Sequence, residues 1–133
     1  MSQITTWDEF PALEYVPNVY RQAVCGEKVM MTKITYKGQV TIPLHKHEAE
    51  QIMILVQGRL WATVGDEEQE IGPGALLIIN SNVLHAFRKL SEEDVVFHEA
   101  FAPIRLEYLI GFKGPDPAGA MIKQALARAA DSR

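Results

Sequence analysis

The chain has 133 residues, 47% hydrophobic and 23% charged, which sizes it as one globular domain with a sizeable core. Its formal net charge of -4, with Lys and Arg scattered, offers no basic footprint for nucleic acid, and no apolar run approaches the roughly 20 residues that cross a bilayer. The single cysteine, Cys25, excludes an internal disulfide and reads as a small buried hydrophobe. The first residues lack a secretory leader's basic-then-apolar pattern, so the expected location is cytoplasmic.

Residues 1–18 hold Trp7, Phe10, Pro11 and Pro17 with little periodicity. They read as an irregular arm, with room for one short strand, that lays its aromatics on the domain's exterior. Val19 to Cys25 and Val29 to Tyr36 alternate like two strands separated by Gly26-Glu27, and β-branched and aromatic residues dominate the second. Gly38 marks a turn before Val40-Thr41-Ile42.

The next stretch, Pro43-Leu44-His45-Lys46-His47-Glu48-Ala49-Glu50-Gln51, runs into Ile52-Met53-Ile54-Leu55-Val56 and carries two of the four histidines. On an unbroken extended backbone, His45 and His47 share a face with Gln51, Met53 and Leu55, while Glu48 and Glu50 take the other. Two imidazoles and one amide oxygen on a common face make most of a metal site. Ile52, Ile54 and Val56 are apolar on the opposite face, so the strand needs a cover on both sides. In so short a chain the second cover is expected to be another copy, which predicts a homodimer.

Gln57-Gly58 turns into a strand over Arg59 to Val64, Gly65 to Glu68 turns again, and Gln69 to Ile71 is a short strand. Gly72-Pro73-Gly74 is a strong break. Ala75 to Ile79 is wholly apolar, Asn80-Ser81-Asn82 is a turn, Val83 to Phe87 resumes the sheet with His85, and Val95 to Ala102 is the last strand. Many short strands with regular turn signals predict an all-β sandwich or barrel. Beyond 113 the period changes: from Pro117 to Ala130, Ala118, Met121, Ile122, Ala125, Leu126 and Ala129 recur at helical spacing, predicting a short C-terminal amphipathic helix within 114–133. Trp7 and Trp61 read as packing anchors, and His98, of opposite parity to Glu99, carries no assigned role.

Two groups of residues carry a resemblance. Gly38, His45, His47, Gln51 and Gly58 follow the first cupin motif; Gly74, Asn80, Asn82 and His85 follow the second, with Asn80 and Asn82 in place of its Pro and second Gly, and Lys89 where the pattern has Asn. The chain therefore resembles a single-domain cupin, which implies a double-stranded β-helix, or jelly-roll barrel, here over 19–113. It also implies that His45, His47, Gln51 and His85 hold one divalent transition metal (Zn, Ni, Fe or Mn). Gln51 stands where the family usually has Glu, which removes one negative charge next to the ion.

A narrower similarity lies in Phe97 to Leu109, where Glu99, Phe101 and Arg105 match the D-x-F-S-P-x-R segment of the pectin-degradation cupins, with Glu for Asp at 99. Those proteins linearise 4,5-unsaturated uronates to 5-keto-4-deoxyuronate. The resemblance implies that Arg105 clamps a substrate carboxylate, that Glu99 moves a proton and that Phe101 excludes water, with Met53 and Phe87 as further substrate walls. The expected substrate is an anionic sugar acid, and no nucleic-acid or membrane partner is expected. Two other readings stand beside this one: a metal-dependent cupin dioxygenase, and a non-catalytic binding or sensor cupin.

Overall fold

A computed structural model describes residues 3–108. Its ten strands follow from alternation. Val19–Cys25 and Val95–Ala102 bury every second side chain along their whole length, so each runs as a strand with one face to the interior. In chain order the strands are β1 (Leu13–Val16), β2 (Val19–Cys25), β3 (Met30–Tyr36), β4 (Thr41–His45), β5 (Glu50–Gln57), β6 (Leu60–Val64), β7 (Glu67–Ile71), β8 (Leu76–Ile79), β9 (His85–Lys89) and β10 (Val95–Ala102). Short 3-10 turns lie at Trp7–Glu9 and Leu106–Tyr108.

All pairings are antiparallel, in a six-stranded sheet of order β1-β2-β3-β10-β5-β8 and a four-stranded sheet of order β4-β9-β6-β7. Inward residues of both sheets, among them Val19, Ile34, Met53, Leu60, Phe87 and Phe97, share one buried core. This is the expected all-β jelly-roll sandwich. Gly58 turns the chain at φ +86°, where a Cβ would stand 2.7 Å from Val95 Cγ2 and 2.9 Å from the Asp94 carbonyl oxygen. Only glycine fits there.

Three expectations are refined. The arm contributes β1 to the large sheet, and Phe10 turns inward to pack with Ala23, Cys25, Met30, Ala49 and Phe101 instead of lying outside. Trp7 does lie on the outer face, stacked on His98. The stretch from His45 to Gln51 is not one strand: β4 ends at His45 in the small sheet, and β5 begins at Glu50 in the large one. His47 lies in the crossing between them, where the Asn82 N–H donates to the His47 carbonyl oxygen at 2.8 Å. Asn82 adopts φ +62°, which asparagine accepts more readily than most residues and which the cupin pattern leaves to Gly.

On the outer face of the large sheet, Ile52 faces Ile78 and Ile54 faces Leu76 across β5 and β8. All four are exposed, Leu76 and Ile78 by 68% and 67%. The expected C-terminal helix lies outside the described residues. Among the described residues no helix is long and apolar enough to cross a membrane.

Candidate metal centre

His45 closes β4, His85 opens β9, and the two are register partners whose rings stand 4.1 Å apart. The His47 ring lies 4.8 Å from that of His85. One nitrogen from each of the three histidines lies within 4.8 Å of the others.

The local backbone fixes which nitrogens these are. His45 Nδ1 faces the Pro43 carbonyl oxygen at 2.8 Å, His47 Nδ1 that of Ala49 at 2.7 Å, and His85 Nδ1 that of Val83 at 2.8 Å. A carbonyl oxygen only accepts, so each Nδ1 carries a proton, and Nε2 is the nitrogen each ring offers to a ligand when neutral. Gln51, buried at the start of β5, brings its Oε1 to 3.2 Å from His47 Nε2. Four acceptors are thereby gathered with no donor among them. A cation is what satisfies such a set, and three imidazoles with one amide oxygen suit a divalent transition metal. Burial holds His85 down at about 4 and also lowers His47, with the Arg105 charge next in importance for His47, so both rings are neutral at pH 7.

On the large-sheet side, Glu99 of β10 is buried between two donors. Thr32 Oγ1, from the residue paired with it on β3, donates to Oε1 at 2.9 Å, and Gln51 Nε2 donates to Oε2. Burial raises the Glu99 carboxyl to about 7, against the opposing pull of the Thr32 bond, the Arg105 charge and the Gln51 bond. Arg105 follows β10. Its backbone N–H donates to Met30 Sδ at 3.3 Å, and its Nη1 donates to Tyr108 Oη at 2.9 Å. Its guanidinium lies 4.3 Å from the Tyr108 ring centre and 5.3 Å from that of Phe101.

A cavity of about 40 Å³ is lined by His45, Gln51, His85, Phe87, Glu99 and Arg105, so six of the nine residues expected from the sequence meet there. His47 joins through the histidine cluster. Met53 and Phe101 are not lining residues. Met53 points into the core, and Phe101 packs behind the site, 5.8 Å from the His47 ring and 5.5 Å from that of Tyr108.

Sequence reasoning missed Tyr15, Tyr36 and Tyr108, which also line the cavity, and Thr32. It also missed Arg21, which is buried with its guanidinium 4.5 Å from both the Tyr15 and Tyr108 ring centres. One signal was present: an arginine at an inward position of β2, between Val19 and Ala23, is a charge placed in a core. A larger hollow of about 510 Å³ opens beside the edge strands β7 and β8, lined by Glu67, Gln69, Leu76 and Ile78 among others, and holds none of the histidines.

The family model described as the Cupin domain matches residues 33–101, just over half of the chain. The chain belongs to the cupin family. This cupin is similar in fold to an RmlC-like cupin from Shewanella frigidimarina, at 16% identity and a TM-score of 0.74 over 81% of this chain and 96% of that one. It is also similar to KdgF from Halomonas sp., at 24% identity and 0.70 over 75% and 94%. The cupin domain of Schizosaccharomyces pombe Cnp3 follows, at 11% identity and 0.66 over 79% and 72%. No curated protein matches the chain.

Proposed function

We propose that this cupin is a metal-dependent enzyme that opens the ring of a 4,5-unsaturated uronate and delivers the 5-keto-4-deoxyuronate. The observation that carries this reading is that Arg105 and Glu99 line the same cavity as His45, Gln51 and His85. An anion clamp, a proton carrier and a ligand set therefore converge on one small space. The match of Glu99, Phe101 and Arg105 to the pectin-degradation segment supplies the substrate class.

Arg105 holds the substrate carboxylate, which a planar guanidinium matches with two parallel hydrogen bonds. A divalent metal, when bound by His45, His47, Gln51 and His85, supplies Lewis-acid polarisation of a substrate oxygen. Glu99 takes the anomeric hydroxyl proton as the C1–O ring bond breaks, and a proton returns to C4 as the enol becomes the ketone. The net change is an isomerisation with no atom lost. A carboxyl at about 7 is suited to both directions of transfer near neutral pH. Tyr15, Tyr108 and the clamped Arg105 exclude bulk water. At about 40 Å³ the cavity is water-sized, so substrate enters by displacing these side chains.

The test is anaerobic incubation of metal-loaded protein with unsaturated galacturonate, following the conjugated enol absorbance. Loss of absorbance that vanishes in His85→Ala supports the reading. Three imidazoles and one oxygen ligand also suit iron and dioxygen, so oxygen uptake without that loss moves the assignment to a dioxygenase. Tight metal and ligand binding with neither signal makes it a binding or sensor module. The partner proposed for the outer face of β5 and β8 is a second copy of the chain, since Ile52, Ile54, Leu76 and Ile78 lie there exposed.

A further inference from the structure

An amide side chain has two ends of nearly equal size, and nothing in Gln51 alone decides which end meets the imidazoles. The decision lies on β10. Glu99 is the register partner of Met53, which places Gln51 diagonally beside it on the same inward face, within reach of long side chains. Both groups that approach Glu99 are donors: the Thr32 hydroxyl at 2.9 Å on Oε1 and the Gln51 amide nitrogen on Oε2. Thr32 is itself buried and sits directly across from Glu99 on β3, so the carboxylate is held from the side away from the histidines. With the amide nitrogen committed to Glu99, Oε1 is left facing His47 Nε2 at 3.2 Å.

We propose that Glu99 is a positioning residue for the metal centre: held by Thr32, it captures the Gln51 amide nitrogen and so aims the amide oxygen at the three imidazoles. The chain Thr32–Glu99–Gln51 runs across three neighbouring strands, β3, β10 and β5, and ends in the ligand set. It also accounts for Glu where the resembling segment has Asp. The longer side chain bridges Thr32 and Gln51, a span that a carboxylate one methylene shorter covers less well. The inference rests on the metal site of the proposed function and is independent of its substrate.

The experiment is a Zn²⁺ titration of the full chain against a chromophoric chelator, with the metal-free melting temperature recorded for every variant. Wild type binds; His85→Ala abolishes binding; Gln51→Ala, which removes a ligand, weakens it; and Glu99→Met weakens it by about 10–100-fold, the usual effect of losing an outer partner of a ligand. The exchange Gln51→Glu/Glu99→Gln keeps the net charge and reverses the donor and acceptor of the pair, so it regains at least wild-type affinity. Gln51→Glu alone adds the same anionic ligand and is the reference: a purely structural role for Glu99 predicts that the exchange binds no more tightly than Gln51→Glu, whereas a positioning role predicts that it binds more tightly. Glu99→Met binding as tightly as wild type overturns the proposal, as does an exchange variant that melts like wild type yet binds as weakly as Glu99→Met. If Glu99→Met does not fold, Glu99→Gln replaces it, and the exchange variant must bind more tightly than Glu99→Gln alone. Wild type that binds no Zn²⁺ overturns the metal reading and this inference together, whereas binding without uronate turnover overturns only the proposed reaction.

Discussion

His45 and His85 are direct cross-strand partners in the small sheet, with ring centres 4.1 Å apart and both Nδ1 atoms tied to backbone carbonyl oxygens two residues away. Two imidazoles so placed turn their Nε2 atoms toward the same point. A bound cation therefore stabilises the folded state over the unfolded one. At a metal concentration 100-fold above Kd the gain is about 2.7 kcal/mol. For a domain of this size that raises Tm by roughly 10 °C. Thermal melts with and without Zn²⁺ check this, and His85→Ala should lose the entire increment.

Arg105 rests on the Tyr108 and Phe101 rings and donates to Tyr108 Oη. Arg105→Lys keeps the charge but loses the fork, and kcat/KM on an unsaturated uronate should fall roughly 10–100-fold, the worth of one or two charged hydrogen bonds. Arg105→Ala should lose more. Zn²⁺ affinity should be unchanged in both, and a parallel loss of metal would count against a clamp.

The outer pairs Ile52–Ile78 and Ile54–Leu76 place four branched apolar side chains in water on a lone chain. A second copy is the partner proposed for this contiguous face. Sedimentation should give the mass of a dimer at micromolar concentration, and Ile54→Lys/Ile78→Lys should give a folded monomer. A monomeric wild type would remove the second copy from the proposal.

His98 lies under Trp7, ring centres 5.9 Å apart; burial first, and Lys33 second, hold its imidazole below the ordinary 6.5. The native state then binds fewer protons than the unfolded state below that value. This contribution is present above pH 6.5 and is lost as pH falls through the lower native value. Denaturant unfolding of metal-free protein between pH 7 and 5 should show a shallower decline in His98→Gln than in wild type. Equal slopes would mean that the Trp7 stack places no proton-dependent constraint on His98.

Two strictly alternating strands were legible to the residue, and a third, read as Val29 to Tyr36, begins one residue later at Met30. Val19–Cys25 and Val95–Ala102 have the ends read from the sequence, because a period of two with one buried face allows little slippage. The convergence of His45, His47 and Gln51 was legible for a partly mistaken reason. Parity along one strand grouped His45, His47 and Gln51, whereas the chain changes sheet between them and a turn held by Asn82 restores the convergence. Tyr15, Tyr108 and Thr32 were not legible, because each reaches the site through register or chain return, and spacing along the sequence records neither. Arg21 was legible as an oddity, a charge at a core position, without its partners being visible.

The residues around the cavity divide by their place along the chain. His45, His47, Gln51, His85 and Glu99 all fall within 33–101, the span shared with the wider family, while Tyr15, Arg105 and Tyr108 come from the segments on either side of it. On the proposed function, the residues for holding an ion fall inside the shared span, while the proposed carboxylate clamp, Arg105, falls outside it. If that function holds, changes in the two flanks would retune what enters the cavity without touching the three histidines, so a common barrel could be respecialised from its ends.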